Sequence, residues 1–171
     1  MDTFEQSPET QLGRALFDEL LWIHSMIRRD LATVERLAAD VMTTLSPAEV
    51  QRELKELKTS GRLWQLKVNC LRYCHFVHSH HNLEDSVFFP ILRQANPAIT
   101  PVVDKLEADH RRVSDLLDAV ETASAELTSS ASDVARKRVA ETLNELGRHL
   151  LEHLDYEELN AGPTIRRLRE L

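Results

Sequence analysis

Two residue pairs carry the chemistry of this chain: His80 with Glu84, and His153 with Glu157. A spacing of four puts an imidazole and a carboxylate on one helix face, one turn apart. Both pairs stand where an apolar row should continue. The row Leu66, Cys70, Tyr73, Val77 runs on through His80, Glu84, Val87 and Ile91 in steps of three and four, the spacing of residues that face a partner helix. The row Val139, Leu143, Leu146, Leu150 ends in His153 and Glu157. Two further histidines interrupt similar rows. His24 lies beside Leu16, Leu20, Ile23, Ile27, Leu31, Val34 and Ala38, and His110 is the polar step among Val103, Leu106, Val113, Leu117 and Val120. Burying such groups bare is costly, so they must be paired, hydrogen-bonded or bound to metal.

The pattern is given twice. His80-x-x-x-Glu84-Asp85 precedes Pro90 by the same intervals as His153-x-x-x-Glu157-Glu158 precedes Pro163, and each preceding helix carries one seam histidine. A duplicated helical hairpin would place these groups around a pseudo-two-fold axis. Four histidines and two glutamates projecting inward suit two metal ions. Imidazole and carboxylate together suit iron, manganese or zinc, and the lack of a nearby thiolate disfavours copper(I). Symmetry pairs His24 with His80 on one ion and His110 with His153 on the other, with Glu84 and Glu157 as bridges. Six protein ligands leave coordination positions open for dioxygen, peroxide, nitric oxide or hydroxide.

Three neighbours compete for ligand roles. His81 is next to His80 and three residues before Glu84, His149 is one turn before His153, and Glu107 is three before His110, a spacing used in other di-iron bundles. Asp85 and Glu158 are expected to face outward or to hydrogen-bond the ligands from behind. His75 and His78 read as solvated, and Tyr156 as a neighbour able to donate a hydrogen bond to a bound oxygen species. Ile23, Ile27, Val77, Phe88, Val113 and Leu150 are expected to wall the centre.

The elements that must position these groups are long helices. The first is expected from near Glu9 to about Thr44, after a frayed segment 1–8. Ser46-Pro47 reads as N-cap and first helical residue of a short helix over about 47–58. A second long helix is expected from Arg62 to Gln94, kinked at Pro90, which has no N–H to give the Ser86 carbonyl. Thr100-Pro101 opens the third, Thr128–Ser132 is the next turn, and the fourth begins near Asp133. Gly147 lies within it, where it permits a close approach. Gly162-Pro163 ends it, leaving Thr164–Leu171 as a short basic tail whose arginines read as solvated. The architecture expected is all-α: an up-down-up-down four-helix bundle with a short extra helix between helices 1 and 2.

Composition agrees. The chain has 171 residues, 4 Gly and 6 Pro, enough for one helical domain with a full core. A net charge of −7 argues against nucleic acid or anionic membrane as partner. No run of about 18 apolar residues marks a membrane span, and the acidic N-terminus is unlike a secretory signal. Cys70 and Cys74, the only cysteines, face one way on one helix, a poor geometry for a disulfide. Together these point to a cytoplasmic protein with reduced thiols.

His24, His80-x-x-x-Glu84, His110 and His153-x-x-x-Glu157, over residues 12–163, resemble the hemerythrin-like family, the HHE cation-binding domain. The resemblance implies a four-helix bundle holding a non-haem di-iron centre, bridged by two carboxylates and an oxo or hydroxo group. It implies binding or sensing of dioxygen, peroxide or nitric oxide, or peroxide decomposition. Two departures from the oxygen carriers stand out. Where carriers have His-x-x-x-His on the third helix, His110 is followed by Ser114 at +4. Where carriers have His-x-x-x-x-Asp on the fourth, this chain has His-x-x-x-Glu. The pattern is closer to the branch with a single third-helix histidine, which includes a eukaryotic iron-sensing domain. Sensing or binding is the first functional expectation, a peroxide-decomposing di-iron enzyme the second, and a metal-free helical interaction module the third. A protein partner is possible, with the insertion near 45–61 its natural contact.

Overall fold

A computed structural model describes residues 4–44, 46, 48–49, 52, 62–130 and 132–171. Four long helices dominate: α1 (Gln11–Thr44), α2 (Arg62–Leu83), α4 (Thr100–Ser130) and α5 (Asp133–Asn160). Between α2 and α4 lie a π-helical turn (Glu84–Phe88), the short helix α3 (Phe89–Ala95) and a 3-10 turn (Pro97–Ile99); α6 (Gly162–Ile165) follows α5. Among the described residues there is no strand.

Local chemistry sets the helix ends. Thr10 starts α1: its Oγ1 accepts the Gly13 N–H at 2.8 Å. Ser132 starts α5 in the same way, accepting from Ala135 at 3.1 Å. Ser46 and Glu49 cap each other reciprocally, at 2.8 and 3.3 Å. The rest of the helix expected over 47–58 lies largely outside the described residues. The turn expected at Thr128–Ser132 is shorter, because α4 continues to Ser130.

The long helices pack as antiparallel neighbours around a square. Asp30, Thr33 and Val34 of α1 face Asn69, Arg72, Tyr73 and Phe76 of α2. Cys74 of α2 meets the Leu117 carbonyl of α4 at 3.8 Å. Arg112 and Arg138 tie α4 to α5 through Glu145 and Glu126, each at 2.7 Å. Arg28 of α1 reaches Asp155 of α5 at 2.7 Å, while Leu31 and Glu35 lie against Gly147. In each pair one residue number rises as its partner's falls. The expected up-down-up-down bundle is the fold.

Its interior is apolar in two parts. One cluster includes Ile27, Leu31, Val77, Val113, Leu117, Leu146 and Leu150. The other, at the end of the bundle, includes Leu20, Phe89, Leu92, Leu106 and Ile165. The buried histidines and glutamates fall between them.

Pro90 acts differently from the kink its sequence suggests. The Phe89 N–H bonds to the Glu84 carbonyl, five residues back, so the helix widens into a π-turn just before the proline. The extra residue shifts the register. Of the expected seam steps, Val87 turns outward, to 49% exposure, and Ile91 is half-buried against the end cluster, while Phe89 and Leu92 take the interior.

The C-terminal segment is also different from a solvated tail. Ile165 and Leu168 are buried in the end cluster. The Arg166 carbonyl accepts the Thr10 N–H at 2.9 Å, and the Arg166 side chain binds Glu9 at 2.7 Å while covering the Phe17 ring. Arg167 donates to the Ser7 carbonyl at 2.9 Å. The arginines hold the start of α1 against the end of the chain.

Gly13 makes this junction possible: a Cβ there would stand 2.3 Å from the Arg166 carbonyl oxygen. Gly147 contrasts with it. Its added Cβ would meet the Glu35 Oε1 at 2.6 Å, the movable end of a side chain, well up the bundle from His153. Gly13→Ala should therefore cost about 1–3 kcal/mol of stability through overpacking against backbone. Gly147→Ala should stay within about 1 kcal/mol of the parent, because Glu35 can swing aside and Ala favours helix. Thermal unfolding followed by circular dichroism separates the two.

Candidate metal centre

Each long helix delivers its seam histidine to one level. His24 (α1), His80 and His81 (α2), His110 (α4) and His153 (α5) are all buried, as are Glu84 and Glu157. The π-turn begins at Glu84, so the irregular backbone starts at a carboxylate of the cluster.

Two groups form. His24, His80 and Glu84 have ligand atoms within 4.8 Å of one another; so do His81, Glu84, His110 and His153. Glu84 belongs to both, with Oε1 3.3 Å from His80 Nε2 and Oε2 3.4 Å from His110 Nε2. Glu157 links the same two sides from α5, with Oε2 3.4 Å from His24 Nε2 and 3.9 Å from His153 Nε2. The pairing of His24 with His80 and of His110 with His153, and the placing of a carboxylate between the sides, match the symmetry read from the sequence.

Hydrogen bonds leave most of the inward atoms unused; His110 Nε2 and His153 Nε2, 3.1 Å apart, are the pair that meet each other. Nε2 of His24, His80 and His81, and both carboxylate oxygens of Glu84 and Glu157, are buried without a hydrogen-bond partner. Buried polar atoms are otherwise nearly always partnered, so their convergence is the arrangement a cation would complete. Donor type and number fit divalent or trivalent first-row metals.

The outer faces of the rings are held. His24 Nδ1 lies 2.9 Å from Glu158 Oε1, and His110 Nδ1 lies 2.7 Å from Asp85 Oδ1. The acid following each glutamate thus reaches the seam histidine of the other hairpin. These are the rear contacts expected of Asp85 and Glu158. A carboxylate behind an imidazole fixes its orientation and raises its basicity as a ligand. His153 Nδ1 has a looser neighbour, Asp109 Oδ2 at 3.7 Å.

Sequence reasoning left three neighbours open, and the structure separates them. His81 joins the second group, its ring stacked on His110 with centroids 3.9 Å apart. His149 belongs to neither group: it is half-buried in a small surface cleft, its Nε2 3.3 Å from Arg148. Glu107 is engaged from outside by Arg93, at 2.7 and 3.0 Å. Tyr156 packs with the end cluster and carries Lys105 over its ring at 4.2 Å. His75 is exposed, and His78 lies 3.6 Å from Asp118.

Ile27, Val77, Val113 and Leu150 are buried in the cluster above the centre, with Ile23 packed against it. Below it, Phe89 stacks on His110 at 5.3 Å; Phe88, expected there, is only half-buried. A five-residue step from Glu84 would have identified Phe89, but helical periodicity steps by three and four.

Electrostatics prepares the groups as donors. Burial, reinforced by neighbouring imidazoles, lowers the pKa of His80 to about 4 and of His110 to about 3. His81 is pushed down for the same reasons. Neutral imidazoles keep a lone pair free for metal. Burial and the charge of Glu157 push the Glu84 carboxyl well above its ordinary value. Burial also opposes ionisation of Glu157, but His24, His153 and His80 hold its pKa below the usual carboxylate value.

These shifts have opposite signs in pH. A histidine with a lowered folded pKa contributes stability that is full above the unfolded value of about 6.5 and is lost as pH falls toward the folded pKa. For His80 and His110 that loss extends down to about 4 and about 3. Glu84, with its raised pKa, costs stability as pH rises above its unfolded value near 4.5. The metal-free protein should therefore lose melting temperature as pH drops from 6.5 to 4. Metal-free Glu84→Gln should melt above the metal-free parent at pH 8 and keep the acid loss. Calorimetry on chelator-treated samples measures both.

No curated protein and no solved structure matches the chain. The model of the hemerythrin HHE cation-binding domain matches residues 15–165, a span that contains every group of the buried cluster. The chain belongs to the hemerythrin HHE cation-binding domain family.

Proposed function

We propose that this chain holds two iron ions and uses them to bind or sense dioxygen, peroxide or nitric oxide. The convergence of unpartnered imidazole and carboxylate atoms into two adjoining buried groups that share Glu84 carries the reading. His24 and His80 would hold one ion, and His81, His110 and His153 the other, with Glu84 and Glu157 between them. Iron supplies exchangeable coordination positions and one-electron redox chemistry.

The protein's part is position and exclusion. The two apolar clusters keep bulk water from the polar layer, while Asp85 and Glu158 fix ring orientation from behind. The two sides are unequal. His81 follows His80, but the residue at the same place after His153 is Leu154, fully buried. The side of His24 and His80 therefore has one fewer imidazole, and a small ligand would enter there. That vacancy suits uptake of a diatomic or of peroxide, and neither uptake nor sensing needs a protein nucleophile.

Cys70 and Cys74 are buried and free, and burial raises the Cys70 thiol to about 11 and the Cys74 thiol further, so neither is a ready thiolate. Their reduced state suits a cytoplasmic setting. Among the described residues, no helix is long and apolar enough to cross a membrane.

Metal analysis by mass spectrometry, after anaerobic loading with ferrous iron, tests the reading. The parent should retain two irons. Glu84→Ala should lose most of both, because each side loses an anionic donor. His81→Leu should weaken retention on its side by at least about 10-fold, the low end of what losing a partner behind a ligand costs, and His149→Leu should match the parent. A parent that takes up no iron, or a His149→Leu variant that loses it while His81→Leu does not, would overturn the assignment.

A further inference from the structure

Asp85 and Glu158, the carboxylates bonded behind His110 and His24, are not equivalent. Asp85 Oδ1 accepts from His110 alone among the described contacts. Glu158 Oε1 accepts from His24 at 2.9 Å, and the same oxygen also accepts from Arg28 Nη1 at 2.7 Å. Arg28 is seated by a second bond, Nη2 to Asp155 at 2.7 Å. Asp155 is 73% exposed, so water screens its charge, whereas Glu158 is mostly buried and feels the guanidinium directly. Among the described residues no such partner sits on Asp85. Arg93 is taken up by Glu107 and Asp104, at 2.7 and 2.6 Å, and Arg93 and Arg111 act on Asp85 only through longer-range charge.

The geometry points to Arg28 as a positioning residue that makes the two ions of the proposed centre unequal in redox potential. This rests on the di-iron reading above. An oxygen shared with a guanidinium is a weaker acceptor for an imidazole N–H. His24 therefore gains less anionic character than His110, whose carboxylate is undivided. A more anionic imidazole stabilises the ferric state. His24 and His80 would then give an ion on their side the higher reduction potential of the two. Reduction is directed to the side that is also short of one imidazole, where a small ligand would enter.

The test is a potentiometric titration of the iron-loaded full chain with dithionite, following the mixed-valence signal by electron paramagnetic resonance. Arg28→Met should reduce the mixed-valence formation constant at least tenfold, about 59 mV for a one-electron couple, and lower the mean potential, because Glu158 becomes the stronger acceptor. Asp85→Asn should also reduce the constant but raise the mean potential, because the His110 side loses its anionic support. Arg28→Lys should return the constant toward the parent. In metal-free protein, Arg28→Met should move the His24 Nδ1–H proton resonance downfield, a readout that needs no iron. Arg28→Met with full iron, parental potentials and an unmoved resonance would overturn the inference and leave Arg28 a structural ion pair. A parent that binds no iron would instead overturn the di-iron reading and take this inference with it.

Discussion

Two carboxylates share the centre of a helical bundle, and this repulsion shapes what surrounds it. Glu84 and Glu157 are buried almost completely, in a medium where like charges interact far more strongly than in water. Without a cation the repulsion is met by a raised Glu84 pKa and by imidazoles crowded around Glu157. Neither device satisfies the oxygens, which have no hydrogen-bond partner. The bundle is built to tolerate this layer. Apolar clusters above and below supply the cohesion, and the antiparallel helices are pinned outside it by Arg28, Arg112 and Arg138. The folded chain therefore holds its ligands in place at the expense of stability, and a bound cation would return some of that loss.

Much of this was legible in the sequence, because helical seams report burial directly. His24, His80, Glu84, His110, His153 and Glu157 all interrupt apolar rows, and all are inside. What periodicity could not reach was the π-turn. A row counted in threes and fours passes from Glu84 to Val87, but a five-residue step leads to Phe89, and the backbone takes that step ahead of Pro90. The signal was present, since a proline six residues beyond a buried carboxylate must disturb the ladder, but the choice between a kink and a widened turn depends on packing. His81 and His149 were ambiguous for a different reason. Each lies near the edge of its helix's inward face, where a rotation of some tens of degrees decides between interior and cleft. Arg166 and Arg167 misled because composition alone reads them as solvated, as Arg169 is; their pairing with Glu9 and the Ser7 carbonyl spans nearly the whole chain length.

The duplication explains both the symmetry of the centre and its break. Equivalent positions of the two hairpins meet across the axis: Glu84 lies near His110 and Glu157 near His24, while Asp85 and Glu158 cross to the other hairpin's seam histidine. Such an arrangement would give two equal sites if the hairpins were identical. They differ at two places that matter, His81 against Leu154 and the solitary Asp85 against the Arg28-bound Glu158. Both differences act in the same direction. The side with three imidazoles also has the undivided carboxylate behind its seam histidine, and under the proposal both would favour the more highly charged ion; the side with two has its carboxylate shared and an apolar residue where the third ring would be. A symmetric scaffold needs few substitutions to become directional. In the proposed centre the helices would set the places of two ions, and the residues beside the ligands would decide which of the two reacts.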